Sequence, residues 1–502
     1  MSSILASEQR VCPSLAVVGG GLAGIAAAEA ALQNGFRVTL FERSRVLGGR
    51  AASLFEPNTG QWIDNGQHIA LGCCTELLDL NRQLGLTDYF ERKESIPFAQ
   101  IGGKQGKLTP VRWLPQCWQF FPTFLTFPFL SFRERINTGL LLRKLSTATT
   151  GKESTPDTFA EWLRTKKVSA NTIEKFWAPL IFSALSESVE HVSFEAVRQI
   201  VRDGFLAGYR AMTFHIPTLP LRAIYHDIVA EQLQNRGIEL HFLRRVKRLC
   251  WEFPADSDNS AGNNDNTNTA ESSPQPSPQQ HETRLRIDAL ELSDGTRLSF
   301  DYYLLAVPLS QFREIMTASD LEPYTEQLDL ERFEPGSITT IHLWFNHRLL
   351  PDDCSYSVLL GGPGQFLFCP QRERKNIPAE KNAGVYHTVV ISASHRLLSE
   401  HEFTSRGSFG LVERVVQQLQ NTLAGSFHKE TTQLLSSRVT THFEAVFSPT
   451  PAVYLQRPES ETPFENLVLA GDWTQTQLPA TLESAVRSGR HAVQILQALL
   501  EN

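Results

Sequence analysis

Leu15-Ala16-Val17-Val18-Gly19-Gly20-Gly21-Leu22-Ala23-Gly24 opens as a short apolar strand and ends in a G-x-G-x-x-G. A phosphate-facing turn needs backbone that approaches its ligand without a Cβ, which Gly19 and Gly21 supply. Gly24 lets the next helix lie close on the strand. The spacing predicts that helix over 22–34, with Ala at 23, 26, 27, 28, 30 and 31 keeping it thin. Its N-terminus would offer unpaired N–H groups and the positive end of the helix dipole to a pyrophosphate. Gly35 ends it, and Arg37-Val38-Thr39-Leu40-Phe41-Glu42 reads as the second strand. Glu42 then stands where a carboxylate accepts hydrogen bonds from a ribose diol.

The residues that follow favour FAD over NAD. Glu42-Arg43 and then Gly48-Gly49-Arg50 combine flexible backbone with a guanidinium that can lie along the pyrophosphate or the flavin. At the other end of the chain, Leu467-Val468-Leu469-Ala470 runs into Gly471-Asp472-Trp473, and then into Leu478-Pro479-Ala480-Thr481-Leu482-Glu483-Ser484. Asp472, after a buried strand, suits a hydrogen bond to the ribityl chain, and Trp473 suits a cover for the isoalloxazine. A last helix is predicted over 480–500 with Pro479 in its first turn. Its N-terminus, at Thr481 and Leu482, would face the flavin N1–C2 carbonyl, where negative charge gathers on reduction. Asp64-Asn65-Gly66-Gln67-His68 follows the strand-like Gln61-Trp62-Ile63. Gly66 lets backbone pass near the flavin ring, and Gln67 and His68 present polar groups there; a decorated hairpin is the plainer reading.

Composition is that of a large enzyme rather than a nucleic-acid binder. The 502 residues are 41% hydrophobic, enough for several domains with sizeable cores, and the net charge of −7 gives no basic field. Seven Cys are scattered with no C-x-x-C, so neither a disulfide framework nor a metal site is expected, and a reducing, cytoplasmic setting is the simplest reading. The first strand follows a short polar stretch, so no signal peptide is expected. Residues 113–132 carry no formal charge and include Phe120, Phe121, Phe124, Phe127, Phe129 and Phe132. Pro115, Pro122 and Pro128 argue against a continuous span. Four readings remain: the wall of an apolar substrate tunnel, peripheral contact with the inner face of a membrane, plain core, or a true span in spite of the prolines.

The middle of the chain interleaves two domains. A helix is predicted over 217–235 and strands over 238–243, 246–251, 284–292 and 297–306, with a turn at Asp294-Gly295. Residues 254–283 are Asp, Asn, Ser, Gln, Pro and Gly with few apolar side chains, and are expected to be a disordered insertion whose deletion leaves binding intact. Strands over 338–345 and 385–393 place His342, Trp344 and His387 as candidates for lining a substrate cavity, and a helix is predicted over 409–422. The fold class is α/β: a discontinuous Rossmann-like FAD-binding domain (13–95, 215–312, 450–502) with an interleaved α+β substrate domain (96–214, 313–449). No second G-x-G-x-x-G on a strand–helix unit occurs in 313–449, so electrons must reach the flavin from an external donor or from substrate.

The E-R-x-x-x-x-G-G-R stretch resembles the flavin amine oxidase and phytoene desaturase superfamily. D-N-G-Q-H with Leu71-Gly72-Cys73, joined to G-D-W-T-x-T-x-L-P-A-T-L-E-S-A-V-R-S-G, is similar to the squalene-associated FAD-dependent desaturases, the hydroxysqualene dehydroxylases. The resemblance runs from Leu15 to Leu499 apart from the 254–283 insertion. It implies that Val246 meets the adenine through its backbone. It also implies a reductive dehydroxylation, with a hydride delivered to the allylic carbon of a triterpene alcohol while its hydroxyl leaves as water. Such a site needs a proton donor and a dry tunnel; His68 is the candidate donor or flavin-side orienter, with Asp64 behind it. A carotenoid or phytoene desaturase running the hydride the other way, a soluble flavin amine or porphyrinogen oxidase, and an idle flavin-binding scaffold are the alternatives.

Overall fold

A computed structural model describes residues 12–115, 118–147, 157–251, 285–370, 384–398 and 405–501. The predicted insertion at 254–283 lies outside the described residues. Five parallel strands form the central sheet in the order Glu239–Phe242, Arg37–Glu42, Ser14–Val18, Tyr302–Leu305, Leu467–Leu469. Continuous apolar runs such as Ser14–Val18 are buried along their whole length, as a parallel sheet covered on both faces requires. The order puts the first and last strands of the chain one strand apart, so the two glycine-bearing ends meet.

The Ala-rich helix Leu22–Gln33 covers one face, and the last helix, Leu482–Glu501, packs on it. The approach is close: a Cβ on Gly489 would stand 2.1 Å from the Ala23 carbonyl oxygen. The other face meets an antiparallel layer of Val246–Trp251, Ile287–Leu292 and Arg297–Leu298, together with helix Leu309–Ala318. The undescribed stretch holding the insertion connects the first two of these strands.

A seven-stranded mixed sheet runs Leu434–Phe447, Pro335–Phe345, Val385–Ser392, Phe366–Phe368, Tyr356–Leu360, Ile96–Gln100, Lys104–Leu108. Its pleat sorts the side chains. Ile341, Leu343, Phe345, Val389 and Ile391 pack with Leu411, Val415 and Leu419 of helix Ser405–Thr422. Thr340, His342, Trp344, Tyr386 and Thr388 alternate onto the opposite face. That face looks at the hairpin Ser53–Glu56/Gln61–Asp64: Trp344 Nε1 donates to Gln61 Oε1 at 3.0 Å, and Arg438 pairs with Glu56 at 2.6 Å.

Several boundaries differ from expectation. Phe214–Pro217 is a strand pairing with Ala70–Leu71 and Phe90–Lys93, so the helix predicted from 217 follows Pro220, as a wide-turn segment Ala223–Ile228 and then Val229–Asn235. The strand expected over 297–306 splits between two sheets, Arg297–Leu298 in the antiparallel layer and Tyr302–Leu305 in the parallel one. The last helix begins at Leu482, because Thr481 Oγ1 accepts from Ser484 N and caps it; Pro479 stands outside. Within 113–132, Phe120, Phe124, Phe127 and Phe129 are core, stacked among Phe98, Phe176 and Phe205. Trp113, Trp118 and Phe132 are exposed. Among the described residues no helix is long and apolar enough to cross a membrane.

Candidate functional site

The turn after the first strand is built around missing side chains. Gly19 has φ +108°, and a Cβ on it would collide with the Ala306 carbonyl oxygen at 2.3 Å. A Cβ on Gly24 would lie 1.8 Å from Gly19 O, so helix and strand meet as the spacing implied. Gly21 is the helix N-cap, makes no side-chain cap, and is followed by a first turn without acidic residues. The leading N–H groups of the helix are therefore available to an anion. Facing Gly21 stands Gly49, whose added Cβ would come 3.1 Å from Gly21 Cα, and Gly48 N donates to Gly20 O at 2.8 Å. Two glycine turns thus line a cradle that side chains would fill.

Glu42 is 8% exposed at the end of its strand. Its Oε2 accepts from Gly20 N and its Oε1 from Ser44 N, both at 2.7 Å. These bonds orient the carboxylate and leave each oxygen a further lone pair for a ribose hydroxyl. Leu243 N donates to Ser44 O and Arg244 N to Glu42 O, so the chain entering Val246 passes beside this carboxylate. Val246 itself is buried, and Arg43 is exposed.

The other end of the chain closes the site. Arg50 Nη2 pairs with Asp472 Oδ1 at 2.6 Å and its Nη1 donates to Ala445 O at 2.9 Å. Gly471, at φ +146°, leaves room for the Trp473 indole, and its N–H donates to Ser488 Oγ at 2.8 Å. Trp473 is not a flavin cover. It is 2% exposed, packs on Phe312 in the core and donates to Val307 O at 2.9 Å. Capping by Thr481 leaves the N–H groups of Leu482 and Glu483 at the helix mouth without an acceptor among the described residues. The Glu483 carboxylate turns away to accept from Glu76 N and Leu77 N, and burial raises its pKa. The turn, the cradle, the ribose carboxylate and this helix mouth fit FAD.

Asp64 through His68 leaves the hairpin and passes under the seven-stranded sheet; a Cβ on Gly66 would be 3.6 Å from Thr340 Oγ1. Asp64, 3% exposed, accepts from Ser53 Oγ at 2.7 Å and Leu221 N at 2.9 Å, so it anchors this loop to the following helix. His68 Nδ1 bonds Gly66 O at 2.8 Å. Burial lowers the His68 pKa against the pull of Gly66 O and Asp64, so the ring is neutral at pH 7 and Nε2 carries the lone pair. Gln67 makes no hydrogen bond among the described residues. His342, fully buried, bonds Tyr386 Oη at 2.7 Å and Thr440 Oγ1 at 3.1 Å on the loop-facing side. His387 belongs to the other face: it receives Leu349 N at 3.0 Å, bonds Val385 O, and burial lowers its pKa to about 4. It is a satisfied core histidine.

Sequence reasoning passed over Arg457. It is 4% exposed, donates to the Asp472 carbonyl at 3.1 Å, lies over Phe447 and Tyr454, and burial lowers its pKa to about 10. It also passed over Thr340, Thr388 and His442. The local signal for His442 was the polar run Ser436-Ser437-Arg438-Val439-Thr440-Thr441-His442 in a strand.

Comparison with known proteins agrees with this geometry. A hydroxysqualene dehydroxylase from Rhodopseudomonas palustris is 26% identical over 508 residues, covering 96% of this chain and 98% of that protein. The 15-cis-phytoene desaturase of Synechococcus elongatus is 21% identical, covering 96% of each. The crystal structure of an oxidoreductase from Methanosarcina mazei superposes with a TM-score of 0.65 at 15% identity, over 97% of this chain and all of that one. The model of the family described as flavin containing amine oxidoreductase matches residues 22–497, and the chain therefore belongs to that family as an FAD-dependent oxidoreductase.

Proposed function

We propose that this protein reduces hydroxysqualene to squalene, releasing the hydroxyl as water. The observation that carries the reading is the continuity of one apolar cluster. It runs from Phe120, Phe124 and Phe127 through Phe98, Tyr356 and Phe368 to Val390, with Ile338 packed on it, on the same sheet face that meets the Gly66–His68 loop. A wall of that chemistry suits a polyisoprene chain, which binds by burying hydrocarbon at about 25 cal/mol per Å². The names of the relatives, a hydroxysqualene dehydroxylase and a phytoene desaturase, both belong to isoprenoid chemistry.

In this reading segments 13–95, 215–312 and 450–502 carry the cofactor, and 96–214 and 313–449 carry the substrate. Bound FAD, reduced by an external donor to its two-hydrogen form, would supply both the hydride and the proton with which the hydroxyl leaves as water. Gly19, Gly21 and Gly24 shape the pyrophosphate turn, Glu42 orients the ribose, and Val246 borders the adenine. Gly49, Arg50, Gly471 and Asp472 frame the ribityl side, and Thr481 and Leu482 shape the helix mouth. Neutral His68 accepts a hydrogen bond at Nε2, so it orients the leaving hydroxyl or a water rather than serving as its acid; Gly66 and Gln67 carry it, and Asp64 holds that loop. The aromatic layer excludes water from the reacting carbon. Exposed Trp113, Trp118 and Phe132 would dock the protein peripherally on the inner face of the cytoplasmic membrane, from which such a substrate partitions.

The test is anaerobic reduction of the holoenzyme's flavin followed by hydroxysqualene. Reoxidation with one squalene formed per flavin is expected. A flavin that stays reduced there, yet is reduced from the oxidised state by phytoene, would replace this reading with a desaturase.

A further inference from the structure

Arg457 is a buried cation, 4% exposed, that makes no ion pair among the described residues. Its Nη1 donates to the Asp472 carbonyl at 3.1 Å and its Nη2 to Gln475 Oε1 at 3.3 Å, both uncharged acceptors. Nε is buried with no hydrogen-bond partner among the described residues. The nearby acids are engaged or turned to solvent: Asp472 gives its carboxylate to Arg50 at 2.6 Å, and Glu459 is exposed. The guanidinium carbon stands 5.4 Å from the Phe447 ring centre and 5.6 Å from that of Tyr454, whose hydroxyl donates to Gln199. Ring faces offset part of the cost of burying a cation, but burial still lowers the Arg457 pKa to about 10. The side chain therefore remains charged at neutral pH.

That charge stands behind the turn that frames the cofactor. Residues 471–477 join the last strand to the mouth of the last helix. Gln475 N donates to Pro458 O at 2.7 Å and Gln475 Nε2 to Leu455 O at 3.0 Å, so the segment bearing Arg457 is laced to this turn. The other charged groups around the cleft are paired, neutral or exposed. Arg50 and Asp472 neutralise each other, and burial lowers the pKa of His68 and of His442 toward neutral rings. Glu444 is exposed, and the Glu483 carboxylate is held by Glu76 N and Leu77 N with Arg487 at 3.7 Å. One positive charge is left over in a low-dielectric surround, where its field carries farther than in water. Uncompensated buried charge is costly and gathers at functional sites.

Reduction gathers negative charge at the flavin N1–C2 edge, and a nearby cation favours loss of the N1 proton. We infer that Arg457, by its uncompensated charge behind the Asp472 turn, loosens the N1 proton of reduced FAD and so readies it for the departing hydroxyl. The inference rests on the dehydroxylase reading above: hydride passes from flavin to carbon, the C–O bond breaks with its electron pair on oxygen, and the N1 proton completes the water. Arg457 exchanges no proton itself and is a positioning residue.

The test reduces FAD-saturated holoenzyme with dithionite under argon and records the spectrum of the reduced flavin across the neutral pH range, beside free FAD in the same buffers. Neutral and anionic reduced flavins differ in absorbance, so the pH at which the proton leaves is read directly. Wild type should release it at lower pH than free FAD. Arg457→Met and Arg457→Gln should each raise that pH by about one unit, a tenfold gain in proton affinity, while Arg457→Lys stays close to wild type. Gln can keep a hydrogen bond to the Asp472 carbonyl without the charge, so a role in holding the turn alone would leave Arg457→Gln like wild type. Should one neutral variant not hold FAD, the other carries the comparison. Wild type no more acidic than free FAD, neutral variants without the shift, or a lysine variant shifted as far as methionine would overturn the inference. No isoprenoid enters this titration, and turnover of hydroxysqualene by reduced wild type is scored apart. A shift without turnover removes the dehydroxylase reading alone; turnover without a shift removes the role of Arg457 alone.

Discussion

At the scale of single residues, the Arg50–Asp472 pair joins the two ends of the chain across the site. Asp472 is 5% exposed and the Arg50 side chain 40%, so the pair is bounded by protein on one side only. Arg50→Met removes a charge-assisted bond and leaves a buried carboxylate uncompensated, which is worth about 1–3 kcal/mol. FAD affinity should fall about ten- to a hundredfold, and the Tm of the holoprotein at fixed FAD should fall with it; equilibrium dialysis checks the affinity, and full retention of flavin would count against the role. The residues that were legible in the sequence are those whose meaning is local. Gly19, Gly21, Gly24 and Glu42 sit in one continuous strand–turn–helix–strand, where spacing alone dictates geometry. Trp473, in the turn after its strand, and His387, on a strand, fill core rather than line a cavity; an isolated aromatic or histidine looks the same in sequence either way. Thr340, Thr388 and His442 were illegible because three distant strands supply them, and only the pairing register places them on one sheet face.

Among elements, the most concentrated polar junction outside the cofactor site is at Glu187, which is fully buried. It follows helix Ala178–Leu185, whose end turns through Ser186 at φ +52°. Ser188 N donates to it at 2.7 Å, Ser448 Oγ donates to it, Arg396 lies at 3.4 Å and His395 at 3.7 Å. Burial by itself would raise the Glu187 pKa, but His395, Ser448, Ser188 and Arg396 outweigh it and hold the carboxyl at about 2. A folded-state pKa below the unfolded value of about 4.5 contributes stability that is fully present above pH 4.5. That contribution is lost as pH falls toward 2. Glu187→Gln should therefore lower stability at pH 7 by about 2–3 kcal/mol, with the gap to wild type narrowing as pH falls from about 4.5 toward 2. Urea unfolding at both pH values reads this, and a gap that persists in acid would assign Glu187 a packing role only. Element existence was legible here, but ends were not. Pro479 marks a helix start by propensity, yet Thr481 supplies the cap and decides the boundary. Pro217 was consumed by a strand partner that no local pattern reveals.

For the whole molecule, several of the exposed apolar side chains among the described residues fall within 113–140. Trp113 is 83% exposed, Trp118 46%, Phe132 67%, Ile136 37% and Leu140 55%. The last three recur every fourth residue along helix Phe132–Thr147 and so share one side of it. Exposed Arg133, Arg143 and Lys144 flank them, while Glu134 of the same helix is held by Ser131 and Ser169. Directly beneath lie Phe124, Phe127 and Phe129 of the aromatic layer, packed against Leu141, Leu142 and Leu145 on the inner side of the helix. An apolar stripe with a basic rim is what the membrane docking proposed above would use on an anionic bilayer. Each buried Trp, Phe or Leu should add about 1.5–3 kcal/mol and each flanking cation about 1 kcal/mol at low salt. Trp113→Ser with Phe132→Ser and Leu140→Ser should therefore abolish co-sedimentation with phosphatidylserine-containing vesicles, while FAD content and turnover of detergent-dispersed substrate persist. Arg143→Gln with Lys144→Gln should weaken binding in a way that added salt reproduces in wild type. Undiminished sedimentation of the triple-serine protein would leave the stripe as plain surface and remove the docking proposal.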